Sequence, residues 1–181
     1  MPVKIPEPWF GFLREVDRAL GQPTEVRCLG GFVLRVLWDL PRPTGDVDFI
    51  EIDPVTASAE LLRIAGEGSE LESRYRLRFH RVTIAECPEG YASRLVDITP
   101  RSFRRLRLLA FEVHDLVLAK LARNSPRDRE DVAFLVAKGA LNRELLSERF
   151  EAELCPYVLN GARDTANLKL WLDELFPAGH R

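Results

Sequence analysis

The chain has 181 residues, 46% apolar and 30% charged, with 26 Lys and Arg against 28 Asp and Glu. That is the make-up of one globular domain, or of a compact domain with a helical extension. A net charge of −2 excludes a surface that is basic throughout, leaving room only for a local basic patch, and no apolar run is long enough to span a bilayer. Leu13, Val16 and Leu20 predict a helix over 9–20, stopped by Gly21 and Pro23. Residues 24–29 read as the first strand. Gly30-Gly31 follows, then an amphipathic helix over 32–40 carrying Phe32, Val33, Val36, Leu37 and Leu40. Pro41-Arg42-Pro43-Thr44-Gly45 forces a turn, in which Arg42 and Thr44 are either turn residues or part of a site just before Asp46.

Asp46-Val47-Asp48-Phe49 alternates as a strand, so Asp46 and Asp48 share one face. Two unpaired carboxylates side by side are unfavourable. Either a hard divalent cation bridges them or basic side chains neutralise them. A strand ending in Gly-Gly and opening a helix can bring backbone N–H groups to an anion, and the helix N-terminus adds favourable potential. A phosphate at Gly30-Gly31 beside a metal at Asp46 and Asp48 would make a phosphoryl- or nucleotidyl-transfer site.

Further along, Asp53 and Pro54 predict an N-cap and first turn for a helix reaching residue 65. Strict alternation over 74–80 predicts a strand, with Tyr75, Leu77 and Phe79 on one face and Arg74, Arg76, Arg78 and His80 on the other; Val82 to Ile84 extend it. Its basic face is either a charged edge that blocks unwanted pairing or a track for a polyanion such as RNA. The Arg104, Arg105 and Arg107 cluster, opening a strand over 103–111, carries the same two readings. Residues 95–98 form a short strand, whose Asp97 is a third carboxylate or the cap of the turn at Thr99-Pro100.

From residue 113 the pattern is helical, giving a boundary near 112: a core over 1–112 and a helical region over 113–181. Helices are expected over 113–123, 125–138, 142–153 and 166–176. Lys120 lies on the apolar stripe of the first, either snorkelling outward or aiming its ammonium at carboxylates and phosphates. Ser125, Pro126 and Asp128 form a capping box, which gives Asp128 a structural role. Asp131 lies past the first turn on a similar face and is expected to face Lys120 or the site. Cys28, Cys87 and Cys155 suit neither a disulfide framework nor a zinc site, and the opening Met-Pro-Val-Lys-Ile-Pro-Glu-Pro reads as neither signal nor transit peptide. A cytoplasmic protein without a membrane partner is expected.

Leu29-Gly30-Gly31, a helix, then Asp46-Val47-Asp48-Phe49 resembles the core motif of the nucleotidyltransferase-fold superfamily. His114-Asp-Leu-Val-Leu-Ala-Lys120, followed by Arg127-Asp128-Arg-Glu-Asp131, resembles small bacterial members related to the AbiEii-like toxins of type IV toxin–antitoxin systems. The sequence departs from that pattern in Gly31, where Ser is common, and in a long gap between Gly31 and Asp46. The resemblance implies an α+β fold: a nucleotidyltransferase-type mixed β-sheet flanked by helices, followed by a C-terminal helical region. It implies transfer of a nucleoside monophosphate from a nucleoside triphosphate to a tRNA or protein hydroxyl, with Mg²⁺ (or Mn²⁺) as cofactor. In that picture Asp46 and Asp48 are catalytic and bind the metal, and Gly30, Gly31, Arg42, Thr44 and Asp128 lie at the nucleotide. Lys120 holds phosphate, Asp131 orients Lys120 or acts on the acceptor, and a cognate antitoxin is a partner. The alternative is a catalytically inactive module of the same fold that binds or regulates.

Overall fold

Apolar side chains three and four residues apart begin the fold. In the computed structural model, which describes residues 3–83 and 85–176, helix α1 (Trp9–Ala19) buries Trp9, Phe12, Leu13 and Val16. Each such side chain removed from water contributes about 2 kcal/mol. Strand β1 (Thr24–Leu29) runs directly into helix α2 (Gly30–Trp38), which starts on the glycine pair itself, two residues earlier than the apolar stripe suggests. Strand β2 (Asp46–Asp53), helices α3 (Ala57–Ala65) and α4 (Glu70–Tyr75), and strands β3 (Arg78–Arg81), β4 (Val96–Asp97) and β5 (Leu106–Ala110) complete the first of two compact units, Met1–Thr83 with Leu95–Phe111.

The strands form one sheet in the order β3-β2-β1-β5-β4. β1 is antiparallel to β2 and parallel to β5, β3 is parallel to β2, and β4 is antiparallel to β5. The architecture is the expected α+β one, a mixed sheet flanked by helices with a helical region after it in the chain. One face of the sheet is core. Val26, Cys28, Val47, Phe49, Phe79, Leu106 and Leu108 are buried there, with α1 and α3 against them. Phe79 packs tilted against Phe12 and edge-on against Phe49, at 5.9 and 6.1 Å between ring centres. The other face is charged. A bulge makes β1 step from Glu51, opposite Arg27, to Phe49, opposite Cys28, so Ile50 is the extra residue. That step puts Glu51 on the same side as Asp46 and Asp48. Arg27 pairs there with Glu25 and Glu51, and Arg107 with Glu25 at 2.9 Å and Asp97 at 3.2 Å.

Asp17 fixes the start of β5. Its buried Oδ1 accepts the backbone N–H groups of Arg104, Arg105 and Leu106 at 2.9, 2.7 and 2.8 Å. Two of the three arginines beside it have local partners: Arg105 donates to the carbonyls of Arg18 and Leu20, and Arg107 to the two carboxylates above.

Two sequence readings change here. Asp53 caps no helix. The ladder with β1 holds it extended opposite Glu25, and α3 begins at Ala57. The alternating stretch 74–80 is half helix. Ser69 Oγ accepts the Glu72 N–H at 3.1 Å, which starts α4 and carries it through Tyr75. Arg76 then turns left-handed, at φ 58°, and β3 begins only at Arg78. Val82 and Thr83 lie beyond the strand, and Ile84 falls outside the described residues.

The second unit comprises Ile84–Arg94 and Glu112–Arg181. Its helices are α5 (Val113–Leu118), α6 (Pro126–Ala137), α7 (Arg143–Arg149), continued by a π-helical turn (Phe150–Leu154), and α8 (Gly161–Glu174), which starts five residues before the expected one. Leu116, Val117, Leu121, Val132, Leu135, Leu146 and Trp171 form its core. A charge network ties Arg94 to these helices. Arg94 grips the fully buried Asp115 with two bonds of 2.8 and 2.9 Å and also holds Glu153 at 2.7 Å. Arg149 reaches Asp115 at 3.0 Å and also pairs with Glu112. His114 contacts Glu112 through Nδ1 at 2.7 Å and accepts the Asn142 N–H on Nε2, so its ring proton sits on Nδ1. Among the described residues, no helix is long and apolar enough to cross a membrane.

Candidate functional site

The junction of β1 and α2 is built around two missing side chains. Gly30 has φ +78°, where a Cβ is strained, and a Cβ there would lie 2.4 Å from Asp48 Oδ2. A Cβ on Gly31 would lie 3.1 Å from Thr44 Oγ1 and 3.3 Å from Arg42 Nη2. The glycines therefore admit the chain's own side chains to the N-terminus of α2: a carboxylate over the first, a hydroxyl and a guanidinium over the second. The helix has no acidic residue in its first turn, and the Asp48 carboxylate, seated over Gly30, brings a negative charge to its positive end.

Across the ladder, Asp46 stands opposite Arg78 and Asp48 opposite His80. Arg78 Nε donates to Asp46 Oδ1 at 2.8 Å, and His80 Nδ1 lies 2.9 Å from Asp48 Oδ1. The same guanidinium also meets α4 and the turn before it. Its Nη1 lies 3.3 Å from Glu72 Oε1 and 3.5 Å from Glu67 Oε1. The Asp46 hydrogen bond and charge, followed by those acidic neighbours, raise the Arg78 pKa further, so it is always a cation. The basic face of β3 is thus committed to the acidic face of β2. Arg78 and His80 were visible as a basic row in the sequence; which carboxylates they meet depends on the register of β2 with β3, which neither strand encodes alone. Beneath the carboxylates, Cys28 is fully buried, and burial followed by the Asp48 charge pushes its thiol pKa far up, leaving it inert.

The donor set fits the divalent ion that the sequence resemblance implies. Asp46 and Asp48 are partly exposed, present hard oxygens on one face, and each engages a base through Oδ1, leaving Oδ2 outside those pairs. Mg²⁺ is commonly held by one or two carboxylates with substrate phosphates completing its shell. Among the described residues no group of three His, Cys, Asp or Glu side chains could hold a metal, so an ion at Asp46 and Asp48 would complete its shell with water or substrate oxygens. Asp97 is engaged otherwise: its Oδ1 caps Thr99 N–H at 2.9 Å and its Oδ2 meets Arg107. It sits on β4, at the far edge of the sheet from β3.

Lys120, Asp128 and Asp131 come together in the second unit. Lys120 Nζ donates to Asp128 Oδ1 at 3.0 Å and Asp131 Oδ2 at 2.9 Å, all three side chains being buried. Asp128 closes the expected capping box with Ser125 and is gripped twice by Arg123. Burial alone would raise the Asp128 pKa; the Arg123 bonds, the Lys120 charge and the Ser125 hydroxyl hold it well below the usual carboxylate range. Gly30, Gly31, Arg42, Thr44, Asp46 and Asp48 all belong to the first unit.

A family model described as "Nucleotidyltransferase of unknown function (DUF6036)" matches residues 13–174. The chain belongs to this family. No curated protein and no solved structure matches it. The stretch shared with this nucleotidyltransferase family contains every residue of both clusters, and membership implies a nucleoside triphosphate as the substrate class.

Proposed function

We propose that this member of the nucleotidyltransferase family moves a nucleoside monophosphate from a triphosphate to an acceptor hydroxyl with Mg²⁺ or Mn²⁺ as cofactor. The observation that carries the reading is the seating of Asp48 over Gly30 at the start of α2, with Asp46 beside it on β2 and Arg42 and Thr44 over Gly31. Asp46 and Asp48 would hold the ion. Arg42, Thr44 and the first backbone N–H groups of α2 would hold triphosphate oxygens and fix the α-phosphorus for in-line attack. The acceptor oxygen forms the new bond to that phosphorus as the bond to the bridging oxygen breaks, pyrophosphate leaves, and the hydroxyl proton passes to solvent or a base. A bound divalent cation supplies neutralisation of the charge that develops on the phosphates.

We further propose a tRNA or protein hydroxyl as acceptor and a place as the toxin of a toxin–antitoxin pair, a step supported by the sequence block of Lys120 and Asp131 alone. A second reading, a binding module without transfer, is favoured by one observation: both carboxylates are already paired with bases. The chain incubated with each α-³²P-labelled nucleoside triphosphate, Mn²⁺ and bulk tRNA should move label onto RNA or onto itself. Asp46→Asn/Asp48→Asn should not. Triphosphate binding with no label transferred to either acceptor would favour the binding module.

A further inference from the structure

Arg74, Arg76 and Arg78 alternate in the sequence but find different surroundings. Arg74 pairs with Glu15 and lies over the Tyr75 ring, and Arg78 pairs with Asp46, Glu67 and Glu72. Arg76 ends α4 in the left-handed turn, before β3 begins, and lines a cavity of about 370 Å³ together with Arg35, Arg42 and Thr44. It is exposed and has no carboxylate partner among the described residues. Arg35 Nη1 donates to the Leu40 carbonyl at 3.0 Å, a bond that fixes the guanidinium without neutralising it. Glu7 is the one carboxylate lining this cavity, and its Oε2 accepts the Gly11 N–H at 3.0 Å. The cavity adjoins the candidate site. Arg42 and Thr44 line it and also sit over Gly31 at the start of α2.

We propose that this cavity takes the β- and γ-phosphates of the triphosphate, and that Arg76 distinguishes a triphosphate from a nucleotide without them; the inference rests on the nucleotidyl-transfer reading of Asp46 and Asp48. With the α-phosphate between the two carboxylates and the N-terminus of α2, Arg42 and Thr44 mark the way onward, because they belong both to that N-terminus and to the cavity wall. Three guanidiniums against one carboxylate give the lining a positive balance, which favours a polyanion over an uncharged base or ribose. Guanidinium forks match phosphate oxygens and remain cationic. Arg76 is then a specificity residue that meets the end of the triphosphate that departs as pyrophosphate.

Equilibrium titration in Mg²⁺ with the α,β-methylene triphosphate analogue and the monophosphate of each nucleoside tests this. Wild type should bind at least one triphosphate analogue well above the matching monophosphate. Arg76→Gln should lose about tenfold in triphosphate affinity, the worth of one charge-assisted hydrogen bond, and keep its monophosphate affinity. Arg76→Asn, whose side chain tolerates a left-handed turn, carries the same expectation and replaces Arg76→Gln if that variant fails to fold. Arg101→Gln removes an exposed guanidinium that does not line this cavity and should change neither affinity. Unchanged triphosphate affinity in the Arg76 variant, an equal loss for both ligands, or the same loss in Arg101→Gln overturns the role of Arg76 and leaves the transfer reading standing. Wild type that binds no triphosphate analogue overturns both.

Discussion

The Asp48 carboxylate occupies the space that a side chain at Gly30 would need. Oδ2 lies 2.4 Å from where that Cβ would be, and Gly30 has φ +78°. Gly30→Ala therefore has to push Asp48 aside and also adopt a left-handed backbone, which alone costs about 1–2 kcal/mol. We expect a drop in stability of at least that size by urea titration, together with loss of cation-dependent triphosphate binding. Gly31→Ala keeps an ordinary backbone and meets Thr44 and Arg42 at 3.1 and 3.3 Å, so these side chains have to give by a few tenths of an ångström; its effect on stability should be smaller and should fall on triphosphate affinity.

Asp17 should be among the most sensitive positions outside the site. Removing its carboxylate leaves three backbone N–H groups at the start of β5 without their acceptor. Asp17→Ala should cost about 3 kcal/mol in chemical denaturation. Asp17→Asn keeps an oxygen acceptor and should cost clearly less. Equal losses in the two variants would contradict the hydrogen-bond account.

The Lys120 cluster separates structure from chemistry. Lys120→Met leaves Asp128 and Asp131 buried without the ammonium between them, a change that typically costs about 3–5 kcal/mol. Asp131→Asn removes one charge and keeps a hydrogen-bonding group, so it should be milder. If the lysine only joins α5 to α6, Asp131→Asn retains full label transfer. If it serves catalysis as the sequence block implies, transfer falls at least tenfold in a variant that still melts cooperatively.

Acid should unfold the second unit through its paired carboxylates. Burial would raise Glu112, but the His114 and Arg149 hydrogen bonds bring it from its ordinary 4.5 down to about 2. Asp128 is depressed as well. A carboxylate with a lowered pKa stabilises the fold above its unfolded-state value and loses that contribution as pH falls through the folded one. The melting temperature should accordingly hold above pH 5 and decline steadily between pH 4.5 and 2. In Arg149→Met, which removes one partner of Glu112, the decline should start from a lower plateau and be shallower.

The sequence made the fold class legible because its punctuation is strong. The strand 24–29, the glycine pair, the turn of two prolines and the Asp-x-Asp strand each carry a local cause, and so does the Ser125–Asp128 capping box, which the structure shows with both bonds formed. What stayed hidden depends on long-range register. Arg78 reads as a charged edge until β3 is laid beside β2. Asp17 looks like an ordinary helix-surface acid until β5 arrives, 87 to 89 residues later in the chain. Around Tyr75, alternation competed with a helix cap at Ser69, and the cap prevailed through Tyr75. Residues 85–94 carry no periodicity that assigns them to the helices; the Arg94 fork onto Asp115 and Glu153 does so.

The most direct test is a thermal-shift titration with each of the four nucleoside triphosphates, with and without Mg²⁺, on wild type and on Asp46→Asn/Asp48→Asn. A ligand that binds the folded state raises its melting temperature, by an amount set by concentration and affinity. The account predicts a rise with at least one triphosphate that needs Mg²⁺ and disappears in the double variant. No rise with any triphosphate at millimolar concentration, or a rise that the double variant keeps in full, would contradict it.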